Sequence, residues 1–237
     1  MKIKKFLAIS ITFVLLFVFR ESSYGINIVF EGINGCGKTT IIEFFKSSLT
    51  KKDIPFCVVN ELKGSPVESL LKYQKNSFRV SDNEAFKTSV YESLLLAAHN
   101  HFKQELVGRK PTDKINIFDR DFMTVIAYQR AILKKDYGDR FSNFFEPFKK
   151  IMLFDLMNVK TVFYVSVPLE TSIERIKLRG RENPCSDEQV RFLEDAKEYY
   201  EKELTPEVRS LGIDVVVLDG TLSPEENVRI ICEKIKV

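Results

Sequence analysis

Residues 26–40 read INIVFEGINGCGKTT, and this stretch decides the fold. The run from Ile26 to Phe30, apolar but for Asn27, predicts a buried parallel strand. It feeds directly into Gly32-Ile33-Asn34-Gly35-Cys36-Gly37-Lys38-Thr39, which satisfies the phosphate-loop pattern G-x-x-x-x-G-K-[ST]. Beyond it, Ile41, Ile42, Phe44, Phe45 and Leu49 have helical spacing, so the loop sits at a strand-to-helix junction. Gly32, Gly35 and Gly37 permit positive φ and bring backbone N–H groups close to phosphate oxygens, at the positive end of the following helix. Lys38 then reaches β- and γ-phosphates, Thr39 offers a hydroxyl to Mg²⁺, and Thr40 adds a second hydroxyl.

The rest of the 237-residue chain fits an α/β enzyme. Hydrophobic residues make up 44% and charged residues 29%, and the net charge of +3 is too small for a nucleic-acid coat. From the phosphate loop onward, strands and helices alternate. Residues 56–60, 115–118, 161–167 and 214–218 read as further strands, which predicts a three-layer fold with a five-stranded parallel sheet and helices on both faces. A long helix is predicted from about Asp82 to Val107, capped by Ser81 with Glu84, with Val90, Leu94, Ala97, Ala98, His101 and Phe102 near one face. Ser186 with Gln189 and Ser223 with Glu226 predict two more capped helices. His99 and His101 point to different helix faces and read as structural, not as a metal pair. Cys36, Cys57, Cys185 and Cys232 read as free thiols, with Cys36 the one whose oxidation would block the phosphate loop.

Residues 1–25 combine a basic start, an apolar run from Phe6 to Phe19 and a small polar stretch. That is the layout of a targeting segment: a signal peptide, an anchor, an organelle-directing sequence, or the product of an upstream start codon. Residues 26–237 form one domain, with no repeats or Pro/Gly/Ser-rich linker.

Two further sites carry chemistry. Asp119-Arg120 ends the third strand, placing a carboxylate near Mg²⁺ and a guanidinium near a phosphate. Arg179 and Arg181 flank Gly180 in a basic loop suited to closing over a triphosphate, with Arg175 a weaker choice.

Together, Phe30-Glu31-Gly32 with the phosphate loop, Asp119-Arg120 with Ala127-Tyr128-Gln129, and Val162 to Arg181 resemble the thymidylate kinase family of nucleoside monophosphate kinases. The resemblance implies transfer of the ATP γ-phosphoryl group to a nucleoside monophosphate, most often thymidylate, with Mg²⁺ at Thr39 and Asp119. It implies Lys38, Arg120, Arg179 and Arg181 as catalytic groups, ATP contacts along residues 32–40 and at Arg179 and Asp219, and an acceptor pocket including Asn34, Glu61, Lys63, Leu96, Asn100, Arg120 and Tyr128. Several pocket positions depart from the family. Asn34 replaces Asp, Lys63 is the only stand-in for an acceptor-phosphate Arg, Leu96 replaces a stacking Phe, and Asn100 replaces a base-reading Arg. These changes leave open a kinase with another acceptor, or a nucleotide-binding protein without turnover. Relatives often pair through the helices after the first and third strands, so a homodimer is expected.

Overall fold

The computed structural model describes residues 25–60, 82–108, 114–154, 159–179 and 186–237. Residues 1–24, Glu61, Lys63, the Ser81 cap, Arg181 and Cys185 lie outside the described residues. The chain runs β1 (Asn27–Glu31), α1 (Lys38–Lys51), β2 (Phe56–Asn60), α2 (Asp82–Gly108), β3 (Ile115–Asp119), α3 (Phe122–Tyr137) and α4 (Ser142–Phe154). It continues through β4 (Thr161–Ser166), α5 (Leu169–Leu178), α6 (Asp187–Tyr199), a π-helical turn (Tyr200–Leu204), α7 (Thr205–Ser210), β5 (Asp214–Asp219) and α8 (Pro224–Ile235).

The five strands form one parallel sheet in the order β2-β3-β1-β4-β5. β1 is buried along its whole length, as its apolar run requires. Its one amide, Asn27, is opposite Asn116 of β3 and accepts a hydrogen bond from that side chain (2.8 Å), so the polar pair is satisfied inside the core. Helices enclose the sheet in two groups, α1 against α8 and α3 against α2, α4 and α6. From β1 the chain crosses to the edge strand β2, returns to β3 beside β1, and then passes to the other side through β4 and β5. The C-terminal end of β1 is therefore the switch point where parallel sheets bind ligands.

α2 is rotated from the expected face. Ser89, Ser93, Asn100 and Lys103 are buried and Leu96 is half-buried, forming one stripe, while Leu94, Ala98 and His101 of the predicted apolar face are exposed. The reason is polar complementarity with α3: the Ser93 hydroxyl donates to Gln129 Oε1 (2.8 Å) and the Lys103 ammonium meets Asp121. His99 is buried and His101 exposed, so the two point apart as their spacing predicts. Both other predicted capping boxes form, Ser186 with Gln189 and Ser223 with Glu226, the latter with Pro224 in the first turn.

Candidate active site

The phosphate loop leaves β1 at Gly32 and enters α1 at Lys38, with Gly32, Gly35 and Gly37 at φ 136°, 81° and 105°. Gly35 is fixed by more than its dihedral. A Cβ there would lie 2.4 Å from the Ser172 carbonyl oxygen, because α5 presses its N-terminal turns onto the loop. The Ser172 hydroxyl donates to the Asn34 carbonyl, completing that contact. Thr39 and Thr40 are exposed at the start of α1, whereas Ile33 and Cys36 are buried beneath the loop. The Cys36 thiol is therefore a free thiol buried beneath the loop, where burial restricts the access that oxidation needs.

The Lys38 ammonium folds along the loop and donates to the carbonyls of Gly32 (2.6 Å) and Ile33 (3.0 Å), 3.4 Å from Cys36 Sγ. Burial lowers its pKa first, and the positive charge of Arg120 lowers it further. That coupling shows the two predicted catalytic cations sharing one site.

β3 delivers the second cation. Asp119 is in register with Phe30, and the Arg120 N–H donates to the Phe30 carbonyl (3.0 Å), so the strand end lies directly beside the loop. Arg120 adopts φ 65°, a left-handed conformation uncommon outside glycine. Its guanidinium donates to Asn34 Oδ1 and rests 5.4 Å from the centre of the Tyr128 ring. The Tyr128 hydroxyl accepts the Asn34 N–H (3.0 Å), and burial raises its pKa. The structure thus brings together Lys38, Asn34, Arg120 and Tyr128. Leu96 and Asn100 lie on the buried stripe of α2, and the Asn100 side-chain nitrogen is buried with no hydrogen-bond partner among the described residues.

Arg175 has a different role from the one considered for it. Its guanidinium donates to the Cys36 carbonyl (3.2 Å) and the Gly220 carbonyl (3.0 Å), bracing the phosphate loop against the turn after β5. Asp219 orders that turn by accepting from the N–H (2.8 Å) and hydroxyl (2.7 Å) of Thr221. Arg179 is exposed at the end of α5.

Glu31 was assigned no role from sequence, yet it is central. Its carboxyl accepts from the backbone N–H groups of Asp121 (3.0 Å) and Met123 (3.1 Å) and from the Thr124 hydroxyl. The Tyr200 hydroxyl lies 3.2 Å from Glu31 Oε2 and 2.9 Å from Thr124 Oγ1. Burial pushes the Glu31 pKa up to about 7. A carboxylate ending an otherwise apolar strand was the available signal.

For Mg²⁺, the Thr39 hydroxyl and Asp119 carboxylate are hard oxygen donors. Among the described residues there is no cluster of three or more His, Cys, Asp or Glu able to hold a metal. Two protein oxygens completed by phosphate and water are what Mg²⁺ accepts, so these residues fit it.

The sequence profile of the family described as Thymidylate kinase matches residues 30–231. The thymidylate kinase of Fervidobacterium nodosum is 26% identical over 204 residues, covering 83% of this chain and 91% of that protein. That of Acholeplasma laidlawii is 29% identical over 150 residues, covering 63% and 69%. Among solved structures, deoxyadenosine kinase from M. mycoides with bound dATP superposes with a TM-score of 0.62 at 19% identity, covering 90% of this chain and all of that one, a likeness of fold. The profile match spans most of the chain and includes both the phosphate loop and the Arg120 motif: the chain belongs to the thymidylate kinase family.

Proposed function

We propose that this ATP-dependent nucleoside monophosphate kinase takes thymidylate as its acceptor and converts it to the diphosphate. The observation that carries the reading is the convergence of Arg120, Asn34 and Tyr128 beside Lys38, which sets an acceptor-phosphate group next to the phosphate loop. The acceptor is already an anionic phosphate oxygen, so no strong base is needed and catalysis rests on positioning and charge stabilisation. Lys38 would hold the transferring phosphoryl group, Arg120 the acceptor phosphate, and Arg179 with Arg181 the charge that develops between them. Lys63 and Glu61 would complete the acceptor side, and Asp219 the turn beside the adenine. Mg²⁺ bound at Thr39 and Asp119 would neutralise phosphate charge.

A second reading, a different monophosphate acceptor, is favoured by Asn100. Its buried Nδ2, with no partner among the described residues, is a neutral donor where an Arg is the family's base reader. Coupled ADP release with ATP, Mg²⁺ and a panel of monophosphates, on protein beginning near Tyr24, separates the readings. Preference for thymidylate supports the first, another acceptor supports the second, and no turnover refutes both.

We also propose a homodimer. Tyr91, Leu94, Ile151 and Phe154 leave apolar surface exposed on α2 and α4, whereas α3 spends its apolar residues on the core. A monomer in sedimentation at micromolar concentration would contradict it. Residues 1–25 would act as a targeting segment, which cytosolic full-length protein would disprove.

A further inference from the structure

Lys103 lies on the buried stripe of α2 and belongs to no motif. Its side chain is 2% exposed, and three partners among the described residues fall within residues 118–121. The ammonium is 3.6 Å from Asp121 Oδ1, donates to the Arg120 carbonyl (3.4 Å) and lies 5.8 Å from the centre of the Phe118 ring. Asp121 is 1% exposed. A buried cation and a buried carboxylate have therefore been placed on either side of the β3–α3 turn, and an ion pair out of water is retained only at a desolvation cost.

That turn contains Arg120, whose φ of 65° is sparsely populated by residues with a Cβ and persists only where neighbours over-determine it. Two contacts do so from opposite ends of the residue: its N–H is held by the Phe30 carbonyl and its carbonyl by Lys103. The Asp121 N–H, next along the chain, is held by Glu31. With the backbone fixed on both sides, the guanidinium is aimed at Asn34 and across Tyr128.

We propose that Lys103 is a positioning residue for the phosphoryl-transfer reaction: paired with Asp121, it holds the Arg120 carbonyl so that the Arg120 guanidinium faces the acceptor phosphate. The inference rests on the acceptor role given to Arg120 above. Lys103 is buried at 2% exposure, and its effect passes through the backbone of Arg120.

The test uses two variants of the enzyme, Lys103→Met and Lys103→Met with Asp121→Asn. The second leaves no unpaired buried charge, so it keeps the question answerable if the first folds poorly. Misplacing the guanidinium lowers kcat/KM for thymidylate on the order of 100-fold, while the ATP dissociation constant, measured by direct titration, stays within about twofold. The double variant recovers thermal stability without recovering acceptor kcat/KM. The Arg120 Nε–H resonance, identified by its loss in Arg120→Lys, is sharp in the wild-type protein and collapses toward the exposed-arginine position in both variants. Activity and stability recovering together in the double variant would make the pair merely structural and overturn the proposal. So would an unchanged Arg120 resonance. Wild-type protein that turns over no monophosphate would refute the proposed function instead, and the resonance would still decide the positioning role.

Discussion

Replacing Glu31 by Gln tests whether the carboxyl at the end of β1 is held neutral. Its folded pKa of about 7 lies above the ordinary 4.5 of a glutamate, because burial penalises the charged form more than its hydrogen-bond donors favour it. Below the unfolded value both states are protonated and the stabilising contribution is complete. Between the two values the folded state binds the extra proton, so stability falls as pH rises, and the loss is complete above the folded value. A shift of 2.5 units, at about 1.4 kcal/mol per unit, amounts to roughly 3 kcal/mol between pH 4 and 8. Gln keeps the shape and one acceptor oxygen but has no proton to lose. Denaturant unfolding of both proteins across that range gives the difference in stability. The subtraction removes groups common to both, such as Glu201 and Asp219, whose lowered pKa values act in the opposite direction. The variant should gain on the wild type by roughly 3 kcal/mol from low to high pH. A flat difference would refute the account, because it would mean Glu31 titrates alike folded and unfolded.

Lys38→Met removes the cation that follows the loop and should lower kcat by about 10³-fold in the coupled assay while circular dichroism stays unchanged; full activity would contradict its role. Tyr128→Phe leaves the Asn34 N–H without its acceptor, a change of about 1 kcal/mol, read as a roughly fivefold rise in acceptor KM. An unchanged KM would show that the hydroxyl does not organise the pocket. Ser223→Ala deletes one half of a reciprocal cap on α8 and should cost about 1 kcal/mol, or 2–4 °C in Tm, with kcat unaffected. A fall in kcat at equal stability would instead tie α8 to catalysis.

Local features were legible in the sequence because their physics is local. Positive φ at Gly32, Gly35 and Gly37, the caps at Ser186 and Ser223, and the strand entering the loop each depend on residues within a few positions. What the sequence concealed depends on distant partners. Two adjacent stripes of α2 compete for burial, and Ser89, Ser93, Asn100 and Lys103 win because Gln129, Asp121 and the Arg120 carbonyl lie opposite them. No periodicity of α2 alone encodes those partners. By sequence Arg175 is a weaker choice for the lid beside Arg179 and Arg181, and its acceptors are carbonyls 139 and 45 residues away. A backbone carbonyl carries no residue-type signal, so only the folded chain identifies the brace.

The same geometry bears on why Asn34 suits this site. Lys38 and Arg120 are close enough for the charge of one to lower the pKa of the other, so the loop concentrates positive charge. Both are held by neutral acceptors, Lys38 by the Gly32 and Ile33 carbonyls and Arg120 by the Asn34 amide oxygen. Among the carboxyls nearby, Glu31 is held by backbone N–H groups and hydroxyls and Asp121 by Lys103, while Asp119 opposes the lowering of the Lys38 pKa. An ionised acceptor attracts a guanidinium by Coulomb's law, which a neutral amide oxygen does only through its dipole. A guanidinium resting on an amide therefore gains by moving to a phosphate oxygen, whereas one resting on a carboxylate would exchange one strong bond for another. With Asp at position 34, Arg120 would be partly neutralised before the acceptor arrived. On the function proposed above, Asn34 would leave that charge for the acceptor phosphate.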